Sequence, residues 1–183
     1  GYSSPACCLW FAIDYDNNLW VYRELYTQKI TADIFARKVL DLESGEYIRY
    51  GVLDASTWAR RGDIGPSIAE TMIQAGCRWR PSDRTGRSRI SGKLEIHKRL
   101  KVEDKEPGIR IFSNCRNLLR TFPTLPLDDS NPEDINTHVE DHAYDALRYG
   151  CMSRPIHTSY ANKAFGNSNR TANFVPSDKI FGY

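Results

Sequence analysis

Ala6-Cys7-Cys8-Leu9-Trp10-Phe11-Ala12-Ile13 is an unbroken apolar run near the start of the chain. Eight residues is the length of a strand covered on both faces and short for a buried helix. Asp14-Tyr15-Asp16-Asn17-Asn18 then supplies turn chemistry, and residues 19–26 alternate apolar with polar. Together the two runs predict a β-hairpin. Thr31-Ala32-Asp33 opens a helix to about Ser44, with Ile34, Val39, Leu40 and Leu42 among its apolar positions and Gly45 as its stop. Residues 47–55 predict another buried strand, ending Leu53-Asp54-Ala55. Residues 65–75 predict a helix closed by Gly76, and residues 77–80 a short strand. Thr85-Gly86-Arg87-Ser88-Arg89 reads as a mobile loop. Beyond it the pattern predicts a helix over 92–102, a strand over 109–113, a helix over 115–121 and the clearest helix over 138–152. This order points to a mixed α/β sheet in one domain, residues 1–154. From Pro155 the chain turns to Ser, Asn, Thr and Lys with scattered aromatics, and 155–183 reads as a flexible C-terminal tail.

The last helix carries the sharpest chemistry. At ~100° per residue, Val139, Ala143, Ala146, Leu147 and Gly150 share one arc, which reads as the core face. His138, Asp141, His142 and Asp145 fall on an adjoining arc, at the rim of a buried helix. Carboxylates and imidazoles so placed suit a divalent metal, because carboxylate oxygens take Mg²⁺ or Mn²⁺ and imidazole joins Mn²⁺ sites. The bland alternative is a solvated polar face in which His142 and Asp145 pair locally. Asp54, at the end of an apolar strand and followed by small residues, sits where open α/β sheets bind ligands. It reads equally as a turn or cap aspartate.

Charge sharpens this picture. The whole chain carries only +2, but residues 78–101 hold nine Lys/Arg against Asp83 and Glu95, a local net of +7. A basic stripe on an otherwise mildly acidic domain suits a phosphate-contacting surface, or else a solvated loop. Arg84, Arg87, Arg89 and Lys93 are the candidate phosphate contacts within it.

Several function classes are excluded. There is no GxxxxGK[ST], GxGxxG or nucleophile elbow, so neither ATP hydrolysis nor serine chemistry is expected. Asp14, Asp16 and Asn18 begin like a calcium loop, but Leu19 and Leu25 stand where Gly and Glu belong. No apolar run approaches the ~18–20 residues that cross a bilayer, and no leader opens the chain, so a soluble, unexported protein is expected. Five cysteines without CxxC spacing read as buried thiols in a reducing compartment. Asn169-Arg170-Thr171 matches a glycosylation acceptor only by chance on that reading. A first residue other than Met suggests part of a longer protein.

Three stretches resemble the nuclease domain of the large terminase subunits of tailed double-stranded DNA phages. Gly1-Tyr2-Ser3-Ser4-Pro5, followed by an apolar strand and a second strand ending Glu24-Leu25-Tyr26, looks like that family's opening hairpin. Val52-Leu53-Asp54-Ala55 resembles the strand carrying its second acidic residue. Glu140-Asp141-His142-Ala143-Tyr144-Asp145-Ala146-Leu147-Arg148-Tyr149 is similar to its closing helix. The last stretch is the most specific of the three.

The resemblance implies a ribonuclease H-like α/β fold and a metal-dependent endonuclease that cuts concatemeric DNA during genome packaging. Asp54 and Asp145 would be catalytic metal ligands, His142 a histidine near the metals, and Asp141 an acidic neighbour, also placed among the metal-binding residues. Two Mg²⁺ or Mn²⁺ ions are implied. The implied partners are double-stranded DNA, the terminase small subunit, the portal protein (with the tail as a docking candidate) and an ATPase domain earlier in the same polypeptide. The implied setting is the host cytoplasm. The family's first aspartate would lie upstream of Gly1, outside this sequence, so activity of the chain without it is an open question. Two alternatives remain: another ribonuclease H-like nuclease, such as a resolvase or exonuclease, or a non-catalytic DNA-binding packaging module.

Overall fold

The first apolar run is a strand because helices cover both of its faces. In the computed structural model, which describes residues 4–60, 65–102 and 106–155, β1 (Ala6–Ile13) and β2 (Leu19–Thr27) form the expected antiparallel hairpin. Its turn is fixed by Asp14, whose carboxylate accepts from the backbone N–H groups of Asp16 and Asn18, and by Asn17 in the left-handed region at φ 63°. β5 (Ile109–Ile111) adds parallel to β2, giving the order β1-β2-β5. A second parallel pair joins β3 (Gly51–Leu53) to β4 (Trp79–Pro81). Both strand directions occur, so this is a mixed α/β architecture with helices on its faces, the fold class implied by the sequence.

Two cores lie against the sheet. Cys8 and Trp10 pack with Phe35, Ala36 and Val39 of α1 (Ala32–Leu42) and Met72 of α2 (Ile68–Gln74). Leu9, Leu19 and Val21 pack instead with Ile96 of α3 (Ser88–Leu100), Leu118 of α4 (Arg116–Thr121) and Leu147 of α5 (His142–Ser153). Alternation along β1 thus sends neighbouring side chains into different layers. All five cysteines are free thiols, and four are buried.

Three predicted elements change their bounds in ways that bear on the site. The strand expected over 47–55 shrinks to three residues. Its ladder with β4 closes where the Ser82 N–H donates to the Leu53 carbonyl, and Asp54 then turns the chain into the 3-10 segment Ala55–Trp58. α3 begins at Ser88, inside the expected loop. The Asp83 carboxylate accepts from both the N–H and the hydroxyl of Thr85, and the Ser88 N–H donates to the Thr85 carbonyl. Gly92 therefore lies within the helix rather than at its start.

α5 begins at His142, four residues late. The chain before it is drawn elsewhere: Glu140 accepts from the hydroxyl of Tyr26 and from the guanidinium of Arg120. This corrects the expected polar arc, since His138 lies off the helix and is exposed. Val139 is also off the core face, with 38% exposure; Ala143, Tyr144, Leu147 and Cys151 form it. Glu24 caps α4, its carboxylate accepting from the backbone N–H groups of Asn117 and Leu118. Of the expected tail, 156–183 lies outside the described residues, as do Gly1, Tyr2 and Ser3 of the opening stretch.

Candidate active site

Asp54 leaves the end of β3 and caps a short 3-10 turn, Ala55–Trp58. Its carboxylate accepts from the Ser56 N–H at 2.8 Å, and its carbonyl accepts from the Thr57 N–H and hydroxyl at 3.0 and 2.6 Å. The segment after β4 supports this turn from the side. Ser82, buried, accepts from the Ala55 N–H at 3.0 Å, and Arg84 donates to the Ala55 carbonyl.

Asp145 stands in the first turn of α5, where the helix dipole favours an anionic side chain. Its Oδ1 accepts from Arg148 Nε at 3.0 Å and Nη2 at 2.9 Å. Arg148 can lie this deep because α3 presents no side chain at Gly92. A Cβ there would sit 2.4 Å from Arg148 Cγ and 2.8 Å from its Cδ. On the other side of α5, Gly150 admits the ring of Phe11 from β1; a Cβ there would meet Phe11 Cζ at 2.3 Å. Two glycine contacts thus seat the helix between α3 and β1.

Asp54, His142 and Asp145 line one open cleft of about 1,680 Å³, together with Ala146, Tyr149 and Gly150. The phenol of Tyr149 lies within electrostatic reach of both carboxylates. Burial chiefly, then Asp145 and Asp54, push its pKa well above the usual tyrosine value. Asp141 does not line the cleft. It is 7% exposed, and its pKa is raised by burial first and by Asp145 second, with His142 and Arg89 opposing. His142 Nδ1 lies 3.8 Å from Asp141 Oδ1.

The four basic candidates divide. Arg89 pairs with Asp134, Nε to Oδ2 at 2.8 Å. Burial works against its charge, but Asp134, Asp145 and Asp141 outweigh that and raise its pKa. Lys93 donates to the carbonyls of Pro132 and Glu133. Both therefore brace the loop before α5. Arg84 braces the Asp54 turn, and Arg87 is exposed at the start of α3.

The donors of the cleft suit a hard divalent ion in kind: carboxylate oxygens with an imidazole beside them. They fall short in number. Among the described residues no three His, Cys, Asp or Glu side chains gather closely enough to hold an ion. Sequence reasoning missed Arg148 and Tyr149, although both lie within one turn of Asp145 at i+3 and i+4. Their significance depends on Gly92 and Asp54, which only the fold brings near.

No family model and no curated protein matches the chain. Its structure is similar to the nuclease domain of the P22 large terminase, with a TM-score of 0.64 over 84% of this chain and 77% of that one at 19% sequence identity. The chain therefore shares the ribonuclease H-like fold of a terminase nuclease domain.

Proposed function

We propose that the chain is the nuclease domain of a viral terminase large subunit, a divalent-metal-dependent endodeoxyribonuclease that cuts concatemeric DNA during packaging. The observation that carries this reading is the meeting of Asp54, from the end of β3, and Asp145, from the first turn of α5, in one cleft. Likeness of fold supports it, and fold alone does not fix function.

Asp54 and Asp145 would be two of the metal ligands. The resemblance supplies a further aspartate upstream of Gly1. When bound, a pair of Mg²⁺ or Mn²⁺ ions would acidify a water and stabilise the leaving oxygen of a phosphodiester. The chain's own residues prepare the site. Arg148 orients the Asp145 carboxylate, the Ser56 N–H orients that of Asp54, and His142 places an imidazole in the cleft beside them. Asp141, buried beside Asp145, shapes the local charge from behind the cleft wall. Double-stranded DNA, a terminase small subunit, a portal and an ATPase domain of the same polypeptide are the corresponding partners, and the infected host's cytoplasm the setting.

The test is nicking of supercoiled plasmid with Mn²⁺ against EDTA, comparing the chain, its Asp145→Ala variant, and a version extended upstream to include the further acid. Metal-dependent nicking that disappears on substitution is expected. Inertness of even the extended protein would leave a non-catalytic DNA-binding module as the better reading.

A further inference from the structure

We infer that Arg80, set on Tyr50 in a pocket next to the acidic cleft, is a subsite for a backbone phosphate of the DNA strand. This rests on the nuclease reading and extends it from the reacting phosphate to a neighbouring one. The pocket has a volume of about 340 Å³, and its wall includes Tyr50, Arg80, Ser82, Ser88, Arg148 and Tyr149. It shares Tyr50, Val52, Tyr149 and Ser153 with the cleft that holds Asp54 and Asp145. Tyr149 and the Asp145–Arg148 pair thus stand between the two spaces, and a strand in one continues naturally into the other.

Arg80 differs from four of the basic residues around it. Arg84, Arg89 and Lys93 are each bonded to protein oxygens, and Arg148 to Asp145. Among the described residues no ion pair holds Arg80. Its guanidinium lies over the Tyr50 ring, 4.3 Å from the centroid. Such stacking fixes the plane of the group and leaves its edge donors available, the arrangement that binds phosphate in a two-pronged manner. The hydroxyl of Ser88 adds a neutral donor. Asp83 also lines the pocket, but its carboxylate is engaged by the N–H and hydroxyl of Thr85. Arg80 contacts a phosphate rather than a base edge, so its contribution is independent of sequence and sensitive to salt.

The experiment is anisotropy of a fluorescein-labelled DNA duplex with the full 183-residue chain in EDTA, over a range of salt concentrations. The parent is compared with Arg80→Gln and with Lys38→Gln, an exposed cation on α1 outside both spaces. Arg80→Gln should weaken binding several-fold and reduce the slope of log K against log salt by about one, with an unchanged melting temperature. Lys38→Gln should match the parent. Equal behaviour of the two variants overturns the subsite. A loss on Arg80→Gln seen for thymidine 5′-monophosphate but not for duplex also overturns it, because the pocket would then take a free phosphate ester. Parallel plasmid nicking keeps the two readings separate. Salt-dependent loss on Arg80→Gln in a protein that never nicks sinks the nuclease and keeps the subsite. Nicking that needs Asp145, with no Arg80 effect on binding, does the reverse.

Discussion

Arg148 donates from both Nε and Nη2 to a single oxygen of Asp145, at 3.0 and 2.9 Å, one helical turn away on α5. The pair is asymmetric in exposure. The arginine side chain is 6% exposed, and the aspartate keeps 25% of its surface toward the cleft. The arrangement suits a carboxylate that must be held at a fixed angle while remaining open to a ligand. Arg148→Lys tests it. An ammonium cannot make both bonds from one planar fork, and its charge would remain buried with weaker pairing. The expected cost is about 1–3 kcal/mol, below that of breaking a fully buried pair because Asp145 is partly solvated. Nicking should fall roughly ten- to hundredfold with the misplaced carboxylate. A urea titration and the plasmid assay read the two effects separately. Full activity at reduced stability would leave Arg148 a purely structural residue.

Gly92→Ala applies the same strain from α3. Helix propensity alone predicts a gain of about 1 kcal/mol. Packing predicts the opposite, since the new Cβ would stand 2.4 Å from Arg148 Cγ, an atom too near its own backbone to move aside easily. Overpacking of this kind costs about 1–3 kcal/mol. The packing effect wins, so a net loss is expected in the denaturation midpoint. Combined with Arg148→Ala, which removes the clash, the penalty should shrink below the sum of the single changes. Strict additivity would refute the contact.

Legibility in the sequence followed the range of the interactions. The β1–β2 hairpin could be read because its period, its length and its Asp14 turn are local. Asp54 and Asp145 could be singled out because a strand end and a helix arc are local patterns too. The bounds of β3 and α5 could not. They depend on Ser82 and Arg84 holding the Ala55 turn that ends β3, and on Glu140 reaching Tyr26, 114 residues away. The basic stretch shows the limit most clearly. Its net charge was visible, but which cations are bonded to protein oxygens is decided by the loop 131–136 and by the Ala55 carbonyl. Gly92 was read as a helix start for the same reason, because a glycine's purpose is set by what approaches it.

The N-terminus of α2 gives a pH dependence away from the cleft. Ser67 and Glu70 form a reciprocal capping box, and Arg60 pairs with Glu70 at 2.8 Å. Arg60 first, then the Ser67 backbone N–H, lower the Glu70 pKa to about 2. A carboxylate whose folded pKa is depressed contributes stability above its unfolded value, ~4.3. That contribution is lost as pH falls from there through about 2. Glu70→Gln keeps an acceptor for the Ser67 N–H but removes the charge. The parent should therefore exceed the variant in urea midpoint at pH 7, and the gap should narrow as pH falls from ~4.3 toward about 2. A gap that does not narrow at all by pH 2.5 would assign the effect to packing.

Ser82→Ala isolates the support behind Asp54. The Ser82 hydroxyl is the acceptor for the Ala55 N–H, and Ser82 is buried. Alanine removes the acceptor and leaves a space too small to guarantee a water in its place. A buried donor without a partner costs about 1–3 kcal/mol, so the melting temperature should fall. The turn that presents Asp54 then depends more heavily on Arg84 at the Ala55 carbonyl. Nicking should fall with it, while DNA affinity in EDTA should stay near the parent's, because Ser82 carries no charge and its effect on the strand would be indirect. Ser82→Thr restores a hydroxyl and should recover part of the stability and part of the rate together. A nicking rate that stays at the parent's level in Ser82→Ala despite the lost stability would mean that the Asp54 turn tolerates loosening, and that Asp145 alone governs the geometry of the cleft.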